Sequence, residues 1–208
     1  MITDRNIDIF IGDSTVDGYK FPEYTDNHDY VNIQKLPTWA KLFCAADHAI
    51  QANHARASAG WLANYNYAKQ YDDAMAMHDH ARIRRIIFSG VANDFWNKFA
   101  PEQVVMAMTR LLKRAKVENP DAQIIWVTQV MPPSPRNLKE LAGLSFASKL
   151  LIKTVQDLGV EAADATGWLS DTTDTWVEDE LHPNKRGHQL AATKMVEFIN
   201  STNLPVLQ

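Results

Sequence analysis

Five short apolar runs alternate with segments of helical spacing, and this alternation constrains the chain more than any other feature. Ile7 to Ile11 is a buried-strand pattern ending at Gly12, and Ala49 to Ala55 is a weaker second one. Arg85 to Ser89, Ile124 to Val130 and Val160 to Ala165 complete the set, the fourth being stopped by Pro132-Pro133. Pro37 opens a helix with Trp39, Leu42, Phe43 and Ala46 on one face. Trp61 to about Met77 reads as the next helix. Pro101 starts another, with Val104, Val105, Met108, Leu111, Leu112 and Ala115 at helical intervals. Leu138 to Leu158 is a long helix closed by Gly159, and a final helix runs from about Pro183 to Ile199. Strands separated by helices return by crossovers, so they run parallel, with right-handed connections. The prediction is an α/β, three-layer αβα, flavodoxin-like fold with a five-stranded parallel sheet in the order 2-1-3-4-5. No linker or internal repeat interrupts the 208 residues, so one domain is expected over 1–208.

Charge and composition exclude several roles. The net charge is -4 and there is no polybasic stripe, which argues against nucleic acid as a partner. No apolar run reaches the length of a membrane span. Neither an apolar leader nor a disulfide pair is evident, so a cytoplasmic location is expected. The single cysteine, Cys44, lies in an apolar helix and reads as structural. His78-Asp79-His80 is a poor metal motif, because alternate helix residues point apart and no third ligand is evident. The run Asp26-Asn27-His28-Asp29 lacks calcium-loop spacing and reads as polar loop.

Four segments carry the polar chemistry: Gly12-Asp13-Ser14-Thr15, Gly60, Asn93-Asp94 and Asp179-Glu180-Leu181-His182. Each alone is unremarkable, as a capped turn or a helix entry. Their positions in the predicted sheet are more telling. Ser14 follows strand one, Gly60 strand two and Asn93 strand three. All three therefore emerge at the carboxyl edge of adjacent strands, around the point where the strand order reverses. His182 follows strand five, three strand spacings from strand one, or roughly 14 Å. The segment from Thr166 to Asp179 is long enough to bring it back.

These residue types suit acyl transfer. A serine hydroxyl needs a neighbouring base, and His182 can take and return its proton. Asp179 would hold the imidazole tautomer and stabilise the imidazolium. The Ser14 and Gly60 backbone amides and the Asn93 side-chain amide are donors of the kind an oxyanion hole needs. Gly60 would let the backbone approach the substrate without a Cβ. Neither a metal nor an organic cofactor is required.

At these positions the chain resembles the SGNH, or GDSL-type, hydrolases. The resemblance implies a lipase/acylhydrolase-type esterase whose four invariant residues are Ser14, Gly60, Asn93 and His182. Gly12-Asp13-Ser14-Thr15-Val16 is similar to the family's first block. Asp179-x-x-His182, with Pro183-Asn184 and Gly187 behind it, is similar to the last. Ala57-Ser58-Ala59-Gly60 corresponds to the second. The third block departs from the family pattern of Gly, any residue, Asn, Asp. Here Gly90-Val91-Ala92-Asn93-Asp94 has two residues between Gly and Asn, and the strand end must absorb one of them. Gly-Asp-Ser-Thr-Val also occurs in the family's acetylesterases of pectic polysaccharides. A small-molecule or carbohydrate ester of a short acyl group is the expected substrate. Polar and aromatic residues beside the motifs (Tyr19, Tyr24, Trp61, Tyr65, Phe95, Trp96) point the same way, although core packing suits each of them equally. A non-catalytic binding member, a lysophospholipase or thioesterase, and an acyltransferase stay open as alternatives. A conventional α/β-hydrolase does not, since no Gly-x-Ser-x-Gly occurs. Oligomeric state is not specified.

Overall fold

A strand whose side chains are all buried needs cover on both faces, and β1 (Ile7–Gly12) is such a strand. In the computed structural model, which describes residues 5–24, 30–130, 144–169, 174–179 and 181–202, it lies inside a five-stranded parallel sheet. The other strands are β2 (Ile50–Asn53), β3 (Ile83–Ser89), β4 (Gln123–Val127) and β5 (Glu161–Ala163). The order is β2-β1-β3-β4-β5, as the alternation predicts. The helices are α1 (Ser14–Asp17), α2 (Tyr30–Ile33), α3 (Trp39–Ala46), α4 (Tyr67–Met77), α5 (Ala92–Trp96), α6 (Pro101–Glu118), α7 (Leu144–Asp157) and α8 (Lys185–Ser201).

Strand alternation sorts the core into two layers. Ile9, Ile11, Ile86, Phe88 and Trp126 pack with Tyr67 and Tyr71 of α4, Met108 and Leu112 of α6 and Val155 of α7. Phe10, Ile87, Ile125 and Val127 face the other way, onto Trp39 and Phe43 of α3 and Ala191 and Met195 of α8. The chain leaves β1 toward β2, then returns across the sheet to β3. The strand ends around β1 and β3 are therefore the switch point, and the segments after β1, β2 and β3 share one edge.

Several boundaries differ from the sequence reading, each for a hydrogen-bonding reason. The helix expected from Trp61 begins only at Tyr67, capped by Asn66, whose side chain accepts from the Lys69 N–H. The helix does not start earlier because the Ala63 carbonyl, which a helix would give to the Tyr67 N–H, accepts from Gly60, while Tyr67 donates to the Gly60 carbonyl. The fourth strand stops at Val127, not Val130, because the Gln129 side chain turns toward the end of β3. The last helix starts at Lys185, two residues after Pro183, with Asn184 accepting from the Arg186 and Gly187 N–H groups, each at 3.0 Å. The expected loop from Asp17 to Lys35 holds the end of α1 and all of α2. Asp26-Asn27-His28-Asp29 and the first part of the Leu138–Leu158 helix lie outside the described residues. Among the described residues no helix is long and apolar enough to cross a membrane.

Candidate active site

Ser14 is placed by a tight turn at the end of β1. Asp13 caps α1, its carboxylate accepting from the Thr15 N–H at 2.9 Å and the Thr15 hydroxyl at 2.8 Å. Its carbonyl takes the Val16 and Asp17 N–H groups. Three of the first-turn amides are thus used, and among the described residues none accepts the N–H of Ser14. The strand end beneath is pinned to α4, where Gln70 exchanges two hydrogen bonds with the Gly12 backbone at 2.9 and 3.0 Å.

His182 arrives on a turn that is itself cross-braced. The Val177 N–H donates to the His182 carbonyl, and the Asn184 N–H to that of Thr175. The Asn184 side chain donates to the Asp174 and Trp176 carbonyls. Asp179 holds the turn from within: one carboxylate oxygen accepts from the Leu181 and His182 N–H groups at 2.9 and 3.0 Å. The other lies 2.7 Å from His182 Nδ1. Burial pushes the Asp179 carboxyl up, but these bonds outweigh it and hold the group below the usual carboxylate range. The opposite ring nitrogen, Nε2, lies 2.9 Å from Ser14 Oγ. The imidazole is only 7% exposed, and the Tyr19 ring meets it edge-on at a centroid distance of 5.0 Å. Ser14, His182 and Asp179, which are 168 and three residues apart along the chain, thus form one hydrogen-bonded line.

Gly60 and Asn93 are tied to each other. The Asn93 side-chain amide donates to the Ala59 carbonyl at 2.8 Å, leaving its second hydrogen for another acceptor. Next to it, Asp94 is fully buried and accepts from the Trp61, Leu62 and Ala63 N–H groups at 2.9, 2.7 and 3.2 Å. Burial raises its pKa against the pull of those donors. The need for glycine at position 60 follows from this packing. A Cβ there would come within 2.5 Å of an Asp94 oxygen, so glycine at this position permits the close approach of Asp94. The Gly60 N–H donates to the Ala63 carbonyl at 3.2 Å, a long bond at the edge of the usual range.

Gly90 also has a defined part. Its φ of +99° suits only glycine, and a Cβ would strike Asp13 at 2.4 Å. After it, at the start of α5, the Val91 and Ala92 N–H groups both donate to Gln129 Oε1 at 3.0 Å. Asp13, Asp94 and Gln129 carry much of this geometry. Asp13 and Asp94 stood inside the segments singled out in the sequence, Asp13 only as a turn cap and Asp94 only as the neighbour of Asn93, and Gln129 had no signal.

The remaining candidates separate cleanly. Trp61 is core, stacked on Phe88 and donating to the Gly90 carbonyl. Trp96 is 47% exposed, and the Arg56 guanidinium lies 3.9 Å above the Tyr65 ring. Cys44 is buried against Asp8, toward the opposite edge of the sheet, and both burial and that charge push its thiol up. His78 meets His54, Nε2 to Nε2, at 3.0 Å, while His80 turns to the Met75 carbonyl. Among the described residues no group of three His, Cys, Asp or Glu side chains is arranged to hold a metal ion.

Known proteins share this fold at low sequence identity. A lipolytic protein of the G-D-S-L family from Veillonella parvula is similar with a TM-score of 0.70 at 17% identity, over 95% of this chain and 99% of that one. A family two carbohydrate esterase from Clostridium thermocellum, in complex with cellohexaose, gives 0.70 at 17% identity, over 95% of this chain and 64% of that one. A psychrotrophic esterase from Pseudoalteromonas sp., inhibited by monoethylphosphonate, gives 0.65 at 15% identity, over 95% and 98%. No curated protein sequence matches the chain. Likeness at this identity establishes the fold, whereas the family model extends from the middle of β1 into α8, over residues 10–190. On that match the chain belongs to the GDSL-like lipase/acylhydrolase family.

Proposed function

We propose that this chain is a serine esterase in which Ser14 is the nucleophile, His182 the general base and Asp179 the residue that orients it. The observation that carries the reading is the line from Ser14 Oγ to His182 Nε2 at 2.9 Å and from His182 Nδ1 to Asp179 at 2.7 Å. With Nδ1–H donated to the carboxylate, Nε2 is left as the acceptor for the serine proton. Ser14 Oγ attacks the ester carbonyl as that proton passes to His182, and the imidazolium is stabilised by Asp179. The oxyanion is met by the Ser14 N–H, by the second Asn93 side-chain hydrogen, and by the Gly60 N–H on release from its 3.2 Å bond to Ala63. His182 then protonates the departing alkoxide. Water, activated by the same base, cleaves the acyl-serine and restores the hydroxyl.

The substrate class proposed is a short-acyl ester, acetyl to butyryl, of a polar alcohol such as a sugar. Support comes from the surroundings of the line. Tyr19 stands beside His182, the exposed Trp96 lies on the helix that carries Asn93, and Asn97 follows it. Such rings with amide neighbours suit a sugar face better than an alkyl chain. The similarity to a carbohydrate esterase agrees with this. Nitrophenyl esters of increasing chain length test both parts. Turnover should peak at acetyl to butyryl and fall in Ser14→Ala by at least about a thousandfold. A peak at octanoyl or longer contradicts the substrate class, and wild-type rates in Ser14→Ala contradict the mechanism.

A further inference from the structure

Helix α5 starts in a way that its own sequence does not support. An N-cap residue normally offers a side-chain oxygen to the first free amides, but Val91 holds that place and has none. Val91 is fully buried and Ala92 nearly so, which keeps water from their N–H groups. Left unpaired, each would be a buried donor cut off from water. The oxygen comes from another strand. Gln129, two residues past β4 and 3% exposed, accepts both amides on Oε1 at 3.0 Å. Burial raises the pKa of Asp13, the cap of α1, and Gln129 is among the neighbours that pull it down.

One buried amide therefore caps α5 from outside the helix, and Gly90, the residue before the capped amides, packs against Asp13 at the start of α1. Ser14 is the first residue of α1, and Asn93 the second of α5. We propose that Gln129 is a positioning residue that sets the Asn93 amide relative to the Ser14 hydroxyl. The inference rests on the serine-esterase reading above. Gln129 touches neither substrate nor the reacting atoms, so its effect passes through Asn93.

A double-mutant cycle on nitrophenyl acetate tests this, with melting temperatures recorded for each variant. Gln129→Met keeps the volume and removes both polar ends. It should lower kcat by about tenfold to a hundredfold with KM within about twofold, since the loss is of a transition-state donor. In an Asn93→Ala background, itself down by about a hundredfold, the further loss should shrink to about threefold or less. An unchanged kcat in Gln129→Met overturns the proposal, as does a loss that multiplies in full with Asn93→Ala. Gln129→Asn covers the case in which Gln129→Met does not fold. Its side chain is one methylene shorter and withdraws the oxygen from the Val91 and Ala92 N–H groups, so kcat should again fall by about tenfold or more with KM within about twofold, and a wild-type kcat overturns the proposal. Ser14→Ala is assayed alongside. If it is inactive while Gln129→Met is neutral, only the positioning role fails; if it is active, the esterase reading fails.

Discussion

Both edges of the sheet bury aspartates, and they hold them in different ways. At the amino edge, Asp8 is fully buried and pairs with Arg84 at 2.7 Å and Arg85 at 3.3 Å, with Asp47 joining both arginines. At the carboxyl edge, Asp13, Asp17 and Asp94 are equally buried, yet among the described residues none is paired with lysine or arginine. Backbone amides and hydroxyls serve instead. An ion pair fixes two side chains, whereas a carboxylate on several amides fixes the path of a loop. Asp94 holds the turn after Gly60, Asp13 the turn that carries Ser14, and Asp17 the chain at Tyr19 and Ala57. The amino edge is thus built for stability, and the carboxyl edge for the placement of backbone donors.

Substitutions can break this contrast at graded strength. The largest effect belongs to the residue served by the carboxyl edge. His182→Ala should lower kcat on nitrophenyl acetate by about ten-thousandfold or more, nearly as much as loss of Ser14, because members of such a line act as a unit. Steady-state kinetics check it, and a rate near wild type would require another base.

Next come matched changes at the two edges. Asp94→Asn replaces one acceptor with a donor that faces N–H groups, so the turn after Gly60 should shift and kcat fall by about tenfold or more. Asp8→Asn should instead cost about 3 kcal/mol in urea-unfolding stability, with kcat within about twofold, because it leaves buried arginines short of charge far from the site. Equal effects on rate from the two changes would erase the distinction between the edges.

The smallest effect is on the pH dependence of stability. Burial, helped by the charge of Asp13, raises the Asp17 carboxyl to about 8 against its bonds to Tyr19, Ala57 and Tyr24. A raised carboxyl holds its proton in the folded state after the unfolded chain has released it. Its contribution is therefore full below about pH 4 and is lost as pH climbs toward 8. Asp17→Asn should flatten that part of the stability profile, and an unaltered slope in denaturation at stepped pH would contradict the assignment.

These contrasts also mark what the sequence discloses. The parallel α/β layering follows from the alternation of patterns, and Ser14, Asp179 and His182 were legible because each stands in a short block next to a strand or helix boundary. The parts played by Asp94 and Gln129 were not. Asp94 acts on amides 31 to 33 residues away, and Gln129 on amides 37 and 38 residues away. Such partners are set by strand pairing and leave no local trace. The helix start expected at Trp61 fails for a similar reason, since the Ala63 carbonyl, which a helix would give to Tyr67, takes the Gly60 N–H instead.

The central claim is that Ser14 is the activated nucleophile of this chain, and covalent labelling tests it most directly. A fluorophosphonate should modify the protein once, with peptide mass spectrometry locating the adduct on Ser14 and His182→Ala slowing the reaction severely. An adduct on another serine, or labelling of Ser14 at the same rate without His182, would contradict the account.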